Sequence, residues 1–433
     1  DTYFHNGDPV PHVGYCTDVW FDQAMDWIGR VADAPFFCTL ATNAPHDPYL
    51  VADSYRDRYA DNPDICQPAF YGMITNIDEN FARLRAKLDE LNIEDDTILI
   101  FMTDNGSSGS AELDDNQFET RGYNAGLRGK KASFYDGGHK VPFFVRWPGG
   151  GLADRDVSEM CLDVDLMPTF ADLCGLSLPS VAPDGESIAP LLTGYATQLE
   201  GDRVAFLHND QGTTPPDKWT SAVLTRQWRL VYGQELYDIQ ADPGQRTDVA
   251  GEHPAVARRL RDAYDRWYAT VAPGMSDYCP IALGHDAENP TRLDAMDVMG
   301  DVIWHQTQIE QAIRCAGRWT VSVARDGRYR FRLRRWPAEL GLGINATVPF
   351  RDPDSNGYAP PLGEPTSMTP TRARLAIAGQ TLTCDIAPGD IEATFELDLT
   401  ATDTTTMDAY FASDTDECGA YYVYVERLVP ASV

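Results

Sequence analysis

The stretch Ile98–Pro148 reads ILIFMTDNGSSGSAELDDNQFETRGYNAGLRGKKASFYDGGHKVPFFVRWP. It opens with an unbroken apolar run, Ile98 to Met102, too short for most helices. Such a run predicts a strand buried on both faces, as in a parallel sheet. The run stops at Thr103-Asp104-Asn105-Gly106. In open α/β sheets, ligands gather just beyond the carboxyl ends of strands, so Asp104 and Asn105 stand where a site is expected. They offer a carboxylate oxygen and an amide oxygen, the hard donors that Ca²⁺ or Mg²⁺ prefers. The same residue types also build plain turns, and the dipeptide alone does not separate the two readings.

The following segment adds weight to a site. Between Arg121 and Lys140 five basic residues, Arg121, Arg128, Lys130, Lys131 and Lys140, stand against one acid, Asp136, in a chain of formal charge −31. Glycines at 122, 126, 129, 137 and 138 are interleaved with them. Glycine lets a backbone approach a ligand closely, and cations favour an anion there. A glycine-rich cationic loop beside hard oxygen donors points to an anionic ester bound at a metal; a solvated basic loop is the competing reading. A second apolar run, Val141 to Trp147, predicts another strand.

TDNG followed by GxNxxLRGxKxSxYxGGxxVPxxVRWPG resembles the C-terminal signature of the sulfatases, which belong to the alkaline-phosphatase-like superfamily. Upstream, GYCTDVWFDQAMDWI and FFCTLATNAPHDPYLVADSYRDRY resemble the segment that precedes the DNG strand in that family, and downstream ELYDIQADPGQRTDVAGEHP resembles its C-terminal subdomain. The resemblance covers Asp1 to Pro273 and, more loosely, the rest. It implies an alkaline-phosphatase-like doubly wound α/β sheet, here incomplete, then a small α+β subdomain. The activity it implies is that of a sulfuric ester hydrolase. By resemblance, Asp104 and Asn105 would ligate Ca²⁺ (or Mg²⁺), while Lys131 and His46 would contact the sulfate. Lys131 is preferred to Lys130 because LRGKKAS stands where the family has LRGGKGS. His46 closes an Ala44-Pro45-His46 motif that the family also carries. His139, which follows the paired glycines, has a lesser expectation of ligand contact.

The chain also departs from the family. Sulfatases use a formylglycine made from Cys or Ser in a Cys/Ser-x-Pro/Ala-x-Arg motif, and no such motif occurs here. The nearest, Cys66-Gln67-Pro68-Ala69-Phe70, ends in Phe where Arg is required, and is read as structural. The paired aspartates of the family's first strand and its other Lys/His pair are not matched either. The first residue is Asp1, not Met. Together these features give the expectation of a truncated chain, the C-terminal part of a sulfatase, with the formylglycine in the missing N-terminal part and no activity by itself. Two alternatives stay open: a phosphodiesterase or phosphonate monoester hydrolase of the same superfamily, and a non-catalytic protein that binds anionic glycans.

Composition sets outer bounds. With 433 residues two or three domains are expected, and 43% hydrophobic with 23% charged residues is ordinary globular material. No window approaches 18 uncharged apolar residues, so no membrane-spanning helix is expected. A charge of −31 argues against nucleic acid or anionic membranes as partners. It also repels anions at long range, so a sulfated small molecule or polysaccharide, the expected partner, needs the local cations. The resemblance implies a periplasmic or secreted protein, although no signal peptide is visible. The nine cysteines are odd in number, scattered and without zinc spacing, and do not settle the redox compartment.

In chain order, Asp1 to Pro11 reads as a loop. Tyr15 to Val31 reads as a helix with Thr17 as N-cap, and Phe36 to Leu40 as a buried strand that runs out toward His46. Ile74 to Leu91 has one apolar stripe and leads into the Ile98 strand as an α-to-β unit. Asp163 to Cys174 is a short helix ended by Gly175, and Pro179 to Gly201 a linker. Arg203 to Gly233 predicts a small antiparallel sheet and Pro254 to Thr270 an amphipathic helix that closes it. After Pro273 the period becomes two. Trp319, Val321 and Val323, the Asp326-Gly327 turn, and Tyr329, Phe331 and Leu333 predict a hairpin. Similar patterns around Gly379, from Ile391 to Leu399, and from Tyr421 to Val425 complete a β-sandwich. Arg334, Arg335 and Trp336 offer charge and stacking to a sulfated glycan, against the plainer reading of an edge strand with solvated arginines. The expected domains are residues 1–200, 201–275 and 285–433.

Overall fold

A computed structural model describes residues 2–152, 154–178, 180, 183–209, 215–349 and 363–428. The chain divides into two compact units, Asp1–Asp210 with Pro216–Val271, and Gln211–Pro215 with Ala272–Val433. The first is mixed α/β and the second β-rich.

The first unit opens with an antiparallel pair, β1 (Thr2–His5) and β2 (Asp8–Pro11). A loop was expected here. Asn6 and Gly7 take positive φ of 53° and 91°, the backbone of an Asn-Gly hairpin turn. Helix α1 (Cys16–Val31) starts after Tyr15 rather than at a Thr17 cap, and Thr17 is buried inside its first turn. After the short α2 (Asp53–Arg56) comes α3 (Pro68–Glu90), which begins on a proline at its first turn, earlier than the apolar stripe suggested. Phe21 and Ile28 of α1 meet Leu84 and Leu88 of α3, with Phe36, Leu40 and Leu99 against them. Asp18 accepts from the buried Asn76 and Asn80 at 2.9 and 2.7 Å, which satisfies polar groups inside the helix pair.

The Ile98 run forms β3 (Leu99–Met102), but its pairing differs from expectation. β3 runs antiparallel to the strand Phe143–Arg146, in a two-stranded sheet, and is half-buried rather than closed on both faces. A continuous apolar run does not by itself state the direction of its partner. Phe36–Leu40 forms no strand. It lays Phe36 and Leu40 on the helices and turns Phe37, 75% exposed, outward. Between the two paired strands lie a hairpin, β4 (Ala111–Leu113) and β5 (Glu119–Gly122), and the one-turn α4 (Asp136–His139), so the Phe143–Arg146 strand is β6. Helix α5 (Leu166–Leu173) ends before Gly175 as expected. The supposed linker contains α6 (Ala189–Thr193), whose Leu191 is fully buried; residues 179, 181 and 182 of that segment lie outside the described residues.

Strands β7 (Ala205–His208), β8 (Ser221–Leu224), β9 (Trp228–Val231) and β10 (Glu235–Asp238) form an antiparallel sheet in sequential order. β8 and β9 are buried at every position, which explains their near-continuous apolar runs. One face packs on α7 (Pro254–Val271) through Val223, Leu230, Leu236, Leu260 and Tyr264. The other packs on Phe134 and Tyr135 of the glycine-rich loop.

The second unit is a sandwich of two sheets around one core. β11 (Ile281–Leu283), β13 (Arg318–Val323), β15 (Arg372–Ile377), β16 (Gln380–Asp385), β18 (Thr402–Ala412) and β19 (Glu417–Gly419) make one sheet. β12 (Thr291–Asp294), β14 (Gly327–Arg334), β17 (Ala393–Leu399) and β20 (Tyr422–Leu428) make the other. Helix α8 (Gln306–Glu310) precedes β13. In β17 buried and exposed positions alternate without exception. The hairpin expected around Asp326-Gly327 is instead a crossing: β13 pairs with β18, while β14 lies between β17 and β20 in the opposite sheet. β14 is therefore a central strand, not an edge. Arg335 and Trp336 are buried, which removes both the stacking platform and the solvated reading. The Arg335 guanidinium donates to the carbonyls of Ala346, Ile309, Glu310 and Thr366.

Candidate active site

Backbone hydrogen bonds in the first unit tie the loop after β3 to the glycine-rich loop. Gly106 N–H donates to Gly138 O at 2.9 Å, and Lys131 N–H to Ser107 O at 2.9 Å. The approach is close enough to exclude side chains: a Cβ on Gly106 would overlap the Gly137 carbonyl, and one on Gly138 the Ser133 carbonyl. Asn124 is buried and donates to Leu127 O and Gly129 O, holding the turn that presents Lys130 and Lys131.

Lys131 and His46 come together from segments 85 residues apart, with Nζ 3.0 Å from Nε2. An ammonium only donates, so Nε2 is the acceptor and the imidazole proton sits on Nδ1. That proton has its partner, since Nδ1 lies 2.7 Å from Asp47 O and 3.0 Å from Asp47 Oδ1. The pair is open to solvent, with the His46 side chain half exposed, and Lys131 keeps two N–H donors for an incoming anion. Lys130 points to solvent, so the geometry separates the two neighbouring lysines.

Asp104 is exposed on the Thr103–Gly106 turn, and Asn105 is partly buried beside it. The Asn105 amide nitrogen donates to Gly106 O at 2.9 Å, which turns its carbonyl oxygen the other way. Both are hard oxygen donors of the type a divalent cation takes. They are short of its number, because Ca²⁺ takes six to eight oxygens. Among the described residues no group of three or more His, Cys, Asp or Glu side chains gathers where it could hold a metal.

His139 sits elsewhere in the loop. Its Nε2 is 3.8 Å from Asp136 Oδ1 and is buried without a hydrogen-bond partner. Burial pushes the imidazole below its ordinary range, opposed by Asp136. Among the described residues no hydrogen bond or ion pair links its side chain to Lys131 or His46. Cys66 Sγ lies 3.6 Å from Gly109 O, a packing contact consistent with a structural thiol.

Several supports of the site escaped the sequence reading. Asp136 and Arg229, both buried, pair at 2.8 Å, and Asp136 N–H donates to Gln245 Oε1 at 2.7 Å. Arg128, counted among the loop cations, is structural. It stacks over Tyr135 at 3.8 Å and donates to Tyr237 OH and Asn116 O. Tyr135 and Tyr237 both donate to Glu235 Oε2, and burial, reinforced by these bonds, raises both phenols. The β7–β10 sheet thus anchors the back of the loop whose front carries Lys131. One signal was available: a charged residue, Arg229, inside the apolar run Trp228–Val231.

Residues 1–176 match the family model described as Sulfatase, and residues 128–265 that of N-sulphoglucosamine sulphohydrolase, C-terminal. Residues 1–265 belong to the sulfatase family. The Uncharacterized sulfatase YdeN of Escherichia coli is 25% identical over 316 residues, 63% of this chain and 54% of that protein. The N-acetylgalactosamine-6-O-sulfatase of Bacteroides thetaiotaomicron is 26% identical over 290 residues, 58% of this chain and 53% of that protein. Among solved structures, that of Ps i-CgsB in complex with k-i-k-neocarrahexaose has a TM-score of 0.52 and 26% identity, covering 61% of this chain and 57% of its own. The chain spans about half the length of the curated relatives it matches. Sulfatases generally use a divalent metal and a formylglycine, and this sulfatase region contains no Cys/Ser-x-Pro/Ala-x-Arg motif. Among the described residues no helix is long and apolar enough to cross a membrane.

Proposed function

We propose that this chain supplies the sulfate-holding side of a sulfatase active site, in which Lys131 contacts the sulfate of a sulfated sugar and His46, its acceptor, holds that lysine in place. The observation that carries the reading is the meeting of Lys131 Nζ and His46 Nε2 at 3.0 Å on a glycine-built loop. In sulfate ester hydrolysis a nucleophile attacks sulfur, the S–O bond to the sugar breaks, and the leaving alkoxide must be protonated. The Lys131 ammonium neutralises charge on the sulfuryl oxygens, and being held in place it needs no reorganisation as charge develops. His46 accepts one Lys131 N–H and so aims the other two outward, while Asp47 fixes its tautomer. A divalent cation would supply further charge neutralisation, and Asp104 and Asn105 are oxygen ligands this chain would offer to Ca²⁺ or Mg²⁺. A formylglycine supplies the nucleophile in the family, and this sequence carries no Cys/Ser-x-Pro/Ala-x-Arg motif from which one is made.

The proposed substrate class, a sulfated sugar, is supported by a relative named N-acetylgalactosamine-6-O-sulfatase and by a structural neighbour solved with k-i-k-neocarrahexaose. We assign this chain to the periplasm or the cell exterior, where polysaccharides are met. The test is hydrolysis of 6-sulfated N-acetylgalactosamine and of a phosphonate monoester by the full natural gene product carrying this chain. Sulfate ester cleavage that Lys131→Ala lowers at least 100-fold (about 2.7 kcal/mol) supports the reading. Preference for the phosphonate, or indifference to Lys131→Ala, overturns it.

A further inference from the structure

The β-sandwich buries two cysteines side by side. Cys315 lies just before β13 and Cys418 in the middle of β19, 6% and 5% exposed. Their sulfurs share one acceptor, with Cys315 Sγ 3.3 Å and Cys418 Sγ 3.4 Å from Gly419 O. The two segments are locked together on both sides of the thiols. Gly419 N–H donates to Cys315 O at 3.1 Å, Tyr421 OH to Ile313 O at 2.8 Å, and Arg314 to Glu417 O at 2.6 Å. Gly317 and Gly419 face each other with no room for a Cβ on either, which sets the close approach. Neither sulfur belongs to the sulfatase region, and both are free thiols in this structure.

We propose that Cys315 and Cys418 are the two ends of a disulfide, formed when the protein matures in an oxidising compartment. The electron acceptor is a disulfide R–S–S–R, of a thiol-oxidising protein or a small molecule. The Cys418 thiolate attacks one of its sulfurs, the R–S–S–R bond breaks, and one R–S⁻ leaves. The Cys315 thiolate then attacks Cys418 Sγ in the mixed disulfide and expels the second R–S⁻. The two cysteine thiols lose two electrons and two protons, and the acceptor disulfide gains them to become two R–SH. Because both sulfurs are buried once the sandwich closes, the exchange belongs to folding rather than to the finished protein. The bond would tie Cys315 to β19 across about 100 residues of chain, where restricting the unfolded state has its larger effects. It would also settle the redox compartment that the scattered cysteines leave open, since such bonds persist in secreted and periplasmic proteins.

The experiment is a thiol count on the whole chain produced in a bacterial periplasm, unfolded in acid and alkylated without reductant. The expected mass shows seven of the nine cysteines alkylated and, after digestion, a peptide pair joined through Cys315 and Cys418 that disappears on reduction. In Cys315→Ala every remaining cysteine should alkylate, because Cys418 loses its only partner. Alkylation of all nine in the wild type, or a cross-link between a different pair, overturns the proposal. If Cys315→Ala fails to fold, the wild-type peptide map decides alone. The result is independent of the sulfatase reading, which concerns the first unit.

Discussion

His139 occupies a position that disfavours its charge. Burial lowers its proton affinity in the folded chain, while the unfolded chain holds the proton with the ordinary value of 6.5. Between the lowered folded value and 6.5 the unfolded state binds more protons, so stability is fully present above that interval and is lost as pH falls through it. His208, also lowered by burial, acts in the same direction, so the readout is a difference. Urea unfolding from pH about 7.5 to about 5 should show a steeper loss for the wild type than for His139→Asn. Superimposable profiles would remove His139 from the list of groups that sense pH. At Arg335 the sequence and the structure diverge most. Beside Arg334 and Trp336 it reads as glycan recognition, yet it is a buried guanidinium satisfying four carbonyls, with burial pushing its pKa down. Arg335→Met removes that donor from all four, although Ile309 O and Glu310 O keep backbone donors from Ala312 and Thr366, and should cost about 2 kcal/mol in guanidinium unfolding. A cost below about 1 kcal/mol would show that the carbonyls find water.

At the scale of elements, the loop carrying Lys131 is held by the sheet behind it. Removing one member of the Asp136–Arg229 pair leaves a buried charge alone, so Asp136→Asn should cost about 3 to 5 kcal/mol. Asp136→Leu with Arg229→Met should recover most of that loss. A double-mutant cycle with no coupling would contradict the anchoring role. What was legible follows from the same physics. Helices α3 and α7 show as stripes because they pack one face, and β17 shows as strict alternation because one of its faces is solvated. The 98–148 signature was legible because its glycines are required by backbone contacts that no other residue permits. The β1–β2 hairpin is written in the sequence as Asn6-Gly7, a turn pair short enough to read as part of a polar loop. The antiparallel β3–β6 ladder, the irregular Phe36–Leu40 and the crossing at Gly327 were not legible, because periodicity reports burial and is silent on partner and direction. His46 meeting Lys131 depends on a tertiary approach that spacing cannot state, and only the family pattern pointed to it.

At the scale of the molecule, the proposed function asks a chain of charge −31 to hold an anion. The long-range field repels a sulfated ligand and the local Lys131–His46 pair attracts it, so salt should act oppositely on the two. The Debye length falls from about 30 Å at 0.01 M to about 8 Å at 0.15 M, a distance that screens the distant acids and spares the direct contact. The association rate of a sulfated oligosaccharide should therefore rise over that range in stopped flow, the reverse of a basic glycan-binding protein; a falling rate would mean that the basic loop dominates the field. The most direct measurement is titration of the whole chain, labelled with ¹⁵N-histidine, with inorganic sulfate at constant ionic strength, followed by NMR. A saturable shift of the His46 ring signals is expected, with affinity on the order of millimolar, and Lys131→Ala should abolish it while leaving the other histidines in place. His46 signals that do not move, or that move equally in Lys131→Ala, would contradict the assignment of this pair as the sulfate site.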